Sequence, residues 1–493
     1  MKTYFLITII SLAMFSCASK KTLVKPAVTA TKVTDLPTAI DQILQDSSLT
    51  QTRTGIKIVS LKTGETLYSR NSQLLFHPAS NMKLLTTSTA LKRLGADFKF
   101  PTRVFVDSGS VSDSTITGPI YLKGYGDPDL VSDDLRRMVD QLKLKGIRRI
   151  SGDLICDNSY MDDLFWGNGW MWDDASDWYW AQISPLTVND NCVEITVKPG
   201  AHPGDSLRYQ LTPNTAFMKI VNHGVTVDSS DSLIRHAFKV KRRWKHPANI
   251  IDIEGGRFPT DAERDYIIDV IDAPRYVGTL LGEMLRAEGI VFDGVVRTGE
   301  TPKNVGLLVE HLSPPLSLVI FNTNKISDNL SAELLLKTVG AEMRGIPGTA
   351  KKGISEIYKF LQEIGVDSST YELADGSGVS RYNVITPDLI IELLKAMNAD
   401  FRLQAEFKAS LPVAGVDGSL DSRMKNTPAE NKLRAKTGTL RGVSALSGYT
   451  TTADGEPVAF SMIMEHFVVG ASKIRRIQDK IGAAISLFTR REN

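Results

Sequence analysis

The chain has 493 residues, too many for one compact core, and its 42% apolar content supports packed structure in about two or three domains. Its 58 basic and 56 acidic side chains nearly cancel to a net charge of +2, so no chain-wide field recruits nucleic acid or an anionic membrane surface. The 7 histidines (His77, His202, His223, His236, His246, His311 and His466) are scattered without H-x-x-x-H or H-E-x-x-H spacing, which disfavours a zinc peptidase and indicates no metal site.

At the N-terminus, Met1-Lys2 leads into the apolar run Tyr4 to Phe15 and then the small residues Ser16-Cys17-Ala18. Residues 1–17 read as a secretory signal segment, too short to span a membrane as a helix. Two readings stand for Cys17: the acylated residue of a lipoprotein signal, or a bystander near an ordinary cleavage site. Met14 and Phe15 are bulkier than the lipoprotein pattern prefers, whereas Ser16 suits it. Either way an exported, periplasmic protein is expected, with membrane contact only through a lipid anchor on Cys17. Residues 18–35, rich in Lys, Thr, Val and Ala without a sustained period, read as a linker.

Folded structure is expected to open with a helix over Leu36 to Leu44. Gly55-Ile56-Lys57-Ile58-Val59 and Thr66-Leu67-Tyr68 alternate as strands, so Lys62-Thr63-Gly64 between them reads as a hairpin turn. Next comes Ser80-Asn81-Met82-Lys83, at the start of a helix that carries Leu84, Leu91 and Leu94 and ends at Gly95. From 97 to 312 the texture changes to short alternating strands with Gly, Asp and Pro turns, as in Thr117 to Gly124. That region reads as an insertion of mostly-β structure, in one or two domains. It holds Cys156 and Cys192, which in an oxidising compartment form either a disulfide or two buried free thiols. It also holds five of the 6 tryptophans (Trp166, Trp170, Trp172, Trp178 and Trp180), expected as a packed satellite core.

Helical pattern returns from Pro315 through Leu394, with Ser327-Asp328-Asn329 at the head of one apolar run. Ser422-Arg423-Met424-Lys425 repeats the S-x-x-K spacing but has no S-x-N after it. Then come Lys436-Thr437-Gly438-Thr439, a hairpin around Asp454-Gly455 and an amphipathic final helix from Ser472 to Leu487. The parts assign 36–96 and 313–493 to one domain, split by 97–312.

The ordered set S-x-x-K, S-x-N, K-T-G is an established signature of serine acyl-transfer enzymes that use lysine as base. Each motif alone is weak, as Lys62-Thr63-Gly64 and Ser422 show; only the set beginning at Ser80 has the order and the setting. In S-x-x-K the helical spacing stacks Ser80 beside Lys83, which must be neutral to take the serine proton. A free lysine titrates near ~10.4, so bringing it to about 7 to 8 costs ~4 kcal/mol. Burial and a second cation supply the means, and Lys436 is the expected cation, its charge also attracting a substrate carboxylate. The Ser80 and Thr439 N–H groups are expected to form the oxyanion hole, with Thr437 and Thr439 on a terminal carboxylate. Gly438 would let a ligand backbone approach the edge strand. Ser327 is expected to relay a proton from Lys83 to the leaving nitrogen, and Asn329 to hold the substrate amide. Simple helix capping would also explain Ser, Asp and Asn at that place.

At these residues the chain resembles the S13 family of serine peptidases, the class C low-molecular-mass penicillin-binding proteins with D-alanyl-D-alanine carboxypeptidase and endopeptidase activity. The likeness runs through His77 to Lys83, Ser327 to Leu330, Asp375-Gly376-Ser377-Gly378-Val379-Ser380-Arg381, Leu411 to Gly415 and Ala435 to Val443. It implies an α/β (α+β) fold, a β-lactamase/transpeptidase-like catalytic domain split by two inserted domains. It implies attack of Ser80 on the penultimate D-alanine carbonyl of peptidoglycan stem peptides, no cofactor, and β-lactam antibiotics as inhibitors. In similar enzymes an acid of the inserted region and an arginine after the S-x-N motif grip the zwitterionic end of a diamino acid. By position these are Asp173 or Asp174 and Arg381, although Arg381 also fits an ordinary surface ion pair.

Two other readings remain. A β-lactamase needs rapid deacylation, and no E-x-x-L-N stretch lies between the first two motifs to supply its glutamate. A non-catalytic peptidoglycan-binding protein has no need of the pair Ser80 and Lys83.

Overall fold

The computed structural model describes residues 32–244 and 248–490. Cys17 and the signal segment lie outside them. Among the described residues no helix is long and apolar enough to cross a membrane.

The central sheet is antiparallel and draws on both ends of the chain, in the order Thr66–Arg70, Arg53–Ser60, Pro457–Glu465, Val443–Thr451, Arg434–Leu440. Strand alternation decides which side chains meet which layer. Along Pro457–Glu465, Phe460, Met462 and Met464 face helices Leu36–Ile43 and Ala471–Leu487, where Leu36, Ile40, Ile474, Ile477 and Ile481 are buried. Ala459 and Ile463 face the other way, against Leu84 and Leu91 of helix Met82–Leu94 and Val319 of helix Leu316–Ile326. Both faces are covered, so this strand is buried almost end to end. The hairpin at Lys62-Thr63-Gly64 is present, with Gly64 at φ 78°, and so is the tail hairpin, with Gly455 at φ 80°.

The intervening region leaves and rejoins this body on neighbouring strands, Pro101–Asp107 pairing antiparallel with Val305–Leu312. They belong to a five-stranded sheet with Ile120–Gly124, Leu154–Asp157 and Val296–Thr298. Beyond it, Cys192–Lys198 pairs with Arg208–Thr212 and Arg264–Asp269, and Ile250–Glu254 with Lys219–Asn222 and Lys239–Arg242. Two amphipathic helices that the alternating texture does not announce, Ser132–Leu144 and Ala273–Ala287, lie among these strands. The first buries Leu135, Met138, Val139 and Leu142, and its Asp134 carboxylate accepts the Val131 N–H at 3.0 Å, closing its N-terminus.

Cys156 and Cys192 are two free, buried thiols, which decides against the disulfide reading. Cys156 packs in the five-stranded sheet beneath Gly278 of helix Ala273–Ala287, whereas Cys192 lies in a separate cluster with Tyr160, Ile183 and Leu330. Burial pushes the Cys156 thiol up to about 12 and the Cys192 thiol well above its usual range, so both are inert.

Candidate active site

Ser80 sits in a 3-10 turn, Ala79–Asn81, that runs directly into helix Met82–Leu94. Two packing demands shape this turn. Ala79 has φ 46°, a left-handed conformation uncommon for a residue with a Cβ. Gly378, at φ 88°, crosses it so closely that a Cβ there would stand 1.9 Å from the Ala79 carbonyl oxygen. On the other side, a Cβ at Gly438 would come within 2.9 Å of the Pro78 carbonyl oxygen. The glycine of K-T-G therefore admits the protein's own backbone, the turn that carries Ser80. Asn81 ties the same turn to the sheet by donating to Ser447 Oγ at 2.7 Å, across from Lys436 in the strand register.

Lys83 is fully buried, and its Nζ lies 3.1 Å from Ser80 Oγ, 2.6 Å from Asn329 Oδ1 and 2.8 Å from the Ser377 carbonyl oxygen. The last two atoms can only accept hydrogen bonds, so they take the two N–H bonds of a neutral amine. The remaining lone pair then faces the Ser80 hydroxyl. Asn329 is engaged at both ends, since its Nδ2 donates to the Tyr179 carbonyl at 3.0 Å. It orients Lys83, and its second N–H stays available for the substrate amide expected there. Capping of helix Asn329–Arg344 falls to Asp328, which accepts from the N–H groups of Leu330 and Ser331.

Ser327 closes helix Leu316–Ile326 in the left-handed region, φ 64°, which turns its hydroxyl to Lys436. Lys436 Nζ donates to Ser327 Oγ at 2.7 Å and to the Thr437 carbonyl at 3.0 Å. The direct partner of Ser327 is thus Lys436; Lys83 bonds elsewhere. Lys83 and Lys436 each disfavour the other's positive charge. Burial lowers Lys83 to about 8, while Asp375, Asp328 and Glu333 pull the other way. Lys436 is held well below the ordinary lysine range, first by burial and then by the charge of Lys83.

The strand Arg434–Leu440 forms the sheet edge. Thr437 Oγ1 meets Ser419 Oγ at 2.7 Å, and Thr439 Oγ1 accepts from Arg475 at 3.1 Å. Arg381 is half-buried and donates to the Arg441 carbonyl at 2.6 Å. Asp173 is exposed and Asp174 half-buried in the 3-10 turn Trp172–Asp174. Burial pushes the Asp174 carboxyl up, opposed by a hydrogen bond from Tyr179 and by the charge of Arg381, so this acid and this arginine share one neighbourhood.

The tryptophan-rich segment is not a satellite core. Trp166, Trp172 and Trp178 are exposed, Trp166 stacks on Trp180 at 4.7 Å, and Trp172 meets Trp244 at 5.0 Å. Irregular chain and short 3-10 turns leave these indoles no closed layer to fill. Trp170 instead donates from Nε1 to Asp375 Oδ2 at 2.9 Å. Asp375, fully buried, also accepts from the N–H groups of Gly378 and Ser380 and from Asn383, and so folds the loop that delivers the Ser377 carbonyl. Asp375, Ser377 and Asn81 carry no role readable from spacing, although the first two lie inside the Asp375-to-Arg381 stretch.

Sheet, turn and paired lysines together define a penicillin-binding-protein fold. The structure is similar to penicillin binding protein 4 (dacB) from Haemophilus influenzae, with a TM-score of 0.79 and 26% identity over 90% of this chain and 97% of that one. A second structure of that protein, complexed with a β-lactam, matches with a TM-score of 0.73 and 25% identity, covering 90% and 97%. A D-alanyl-D-alanine carboxypeptidase of Actinomadura sp. (strain R39) is 36% identical over 454 residues, 88% of this chain and 81% of that protein. The chain belongs to the D-Ala-D-Ala carboxypeptidase 3 (S13) family, whose model matches residues 36–486. Its enzyme class is D-alanyl-D-alanine carboxypeptidase.

Proposed function

We propose that the protein cleaves D-Ala-D-Ala termini, and D-Ala-linked cross-links, of peptidoglycan through an acyl-enzyme on Ser80, and that β-lactams trap the same serine. The observation that carries this reading is the Lys83 amine, buried and held by two obligate acceptors with its third position on Ser80 Oγ. Ser80 Oγ attacks the penultimate carbonyl while Lys83 takes its proton. The N–H groups of Ser80 and Thr439 receive the oxyanion. Lys436 and Ser327 pass a proton to the departing nitrogen, the terminal D-alanine leaves, and water hydrolyses the ester. Thr437, Gly438 and Thr439 line the place of the terminal carboxylate. Arg381 with Asp173 or Asp174 grips the far end of the stem peptide, a role supported by the shared neighbourhood of Arg381 and Asp174. Export, with Cys17 as lipid anchor, fits a substrate outside the cytoplasm; it rests on residues 1–17 alone.

The test is incubation of the purified protein with labelled penicillin and, separately, with a pentapeptide ending in D-Ala-D-Ala, beside Ser80→Ala. A stable adduct and released D-alanine, both absent in the variant, are expected. Rapid penicillin turnover would favour a β-lactamase, and no adduct in the parent would leave only a binding protein.

A further inference from the structure

Glu333 is fully buried on helix Asn329–Arg344, one turn beyond Asn329, and so shares its face. Its Oε1 accepts from the N–H groups of Gly376 at 2.9 Å and Ser377 at 2.8 Å. The two carbonyls of the same dipeptide point the opposite way. Thr86 Oγ1 donates to the Gly376 carbonyl at 2.6 Å and Lys83 Nζ to the Ser377 carbonyl at 2.8 Å. Thr86 lies one turn after Lys83 on helix Met82–Leu94, so two helices hold one dipeptide, N–H groups on one side and carbonyls on the other. The fit is close: a Cβ at Gly376 would come within 3.0 Å of the Ala332 carbonyl oxygen.

We propose that Glu333 is a positioning residue for Lys83, holding the Gly376–Ser377 backbone where the Ser377 carbonyl fixes one N–H of the Lys83 amine. This rests on the reading of Lys83 as the base. A glutamine oxygen could accept the same two N–H bonds, so backbone geometry alone does not call for a carboxylate. Glu333 Oε2, moreover, is buried with no hydrogen-bond partner, an arrangement that costs stability. The carboxylate also favours the Lys83 ammonium, after Asp375 and Asp328. Three carboxylates face that amine, and two are committed: Asp375 to its loop and Asp328 to its helix cap. The Ser377 hydroxyl, which donates to Asp375 Oδ2 at 3.2 Å, also favours the charged form of Glu333. The other charged groups nearby are Lys436, against Lys83, and Lys337, one turn on from Glu333 and paired to Asp162 at 2.6 Å. Burial and the neighbouring Asp375 raise the Glu333 carboxyl above the usual carboxylate range.

The test is the pH profile of acylation by a fluorescent penicillin for Glu333→Gln, Thr86→Val and Lys83→Ala, with a thermal melt of each. Glu333→Gln keeps the acceptor and removes negative charge, which makes the Lys83 ammonium easier to deprotonate. Its acid limb is expected to move down by about 1 pH unit. Thr86→Val loosens the same dipeptide without a charge change, so acylation is expected to fall by about 10- to 100-fold with the limb unmoved. Parent-like rates and limbs in both variants would overturn the proposal. If Glu333→Gln fails to fold, a parent rate in Thr86→Val overturns it alone. Acylation surviving in Lys83→Ala would instead sink the reading of Lys83 as base, a separate failure.

Discussion

Trp170 Nε1 donates to Asp375 Oδ2 at 2.9 Å, joining the inserted region to the loop whose Ser377 carbonyl holds Lys83. A second tie, Asn329 Nδ2 to the Tyr179 carbonyl, runs from the same tryptophan-rich segment to the other acceptor of Lys83. The insertion therefore bears directly on the surroundings of Lys83. Trp170→Phe keeps most of the ring and removes the donor. Stability is expected to fall by about 1–3 kcal/mol, because a buried carboxylate loses one of its partners. Acylation is expected to slow by about tenfold as the loop relaxes. Stopped-flow labelling with fluorescent penicillin and thermal unfolding check the two effects; an unchanged rate would reduce the insertion to a binding wall.

The pH dependence follows from Lys83. Its amine is lowered to about 8 by burial, and only the neutral form has a lone pair for the Ser80 proton. Below that value the ammonium dominates and the reactive fraction shrinks by about tenfold per pH unit. Acylation is thus expected to rise with pH and level off above about 8, while a profile flat from pH 6 to about 9 would remove Lys83 from the base role.

Gly378→Ala tests the turn that carries Ser80. The position has φ 88°, and an added Cβ would meet the Ala79 carbonyl oxygen at 1.9 Å, so either the loop or the turn has to move. Both carry groups that contact Lys83 or Ser80, and a displacement of about 1 Å costs on the order of 100-fold in rate. Gly455→Ala is the control: φ is similarly positive, at 80°, but nothing lies within 4 Å of the new Cβ. It is expected to lose about 1 kcal/mol of stability and no acylation. Equal acylation in the two variants would show that the close approach at Gly378 does not matter.

What could be read along the chain was what repeats or is punctuated. The hairpin around Gly64, the helix from Met82 ending at Gly95 and the final helix Ala471–Leu487 carry their periods and stop signals locally. The three motifs were legible for the same reason. Partners supplied by distant chain were not. Asn329 meets Tyr179 across 150 residues, and nothing near Asn329 says that its amide will be engaged at both ends. The carboxylates that favour the Lys83 ammonium, Asp375, Asp328 and Glu333, gather there only in three dimensions. Tryptophan composition announced a cluster but not its exposure, which depends on how many layers surround it. A lone acid within the apolar run Leu330 to Val339 was a usable sign of Glu333, since burial of an unpaired carboxylate in a helix needs a purpose.

Arg242 and Asp269 carry the last prediction. Arg242 Nε and Nη2 reach the two oxygens of Asp269 at 3.0 and 2.7 Å, and both side chains are almost fully buried, at 2% and 0% exposure. Removing the arginine strands a buried carboxylate, so Arg242→Met is expected to cost about 3–5 kcal/mol. Burial already pushes the Asp269 carboxyl up against the pull of Arg242, and without the arginine it rises further. A carboxyl whose folded pKa exceeds its unfolded value binds more protons in the native state, so stability falls as pH rises between the two values. The variant should therefore be closest to the parent in acid and weakest at neutral pH, and Arg242→Met with Asp269→Leu should recover much of the loss. Asp269 ends the strand whose Ile268 bridges Asp177, beside Trp178 and Tyr179. Weakening this support is expected to raise KM for a stem pentapeptide more than it slows acylation by penicillin. Equal loss with both ligands would mean that the pair stabilises the whole molecule without favouring the tryptophan-rich segment.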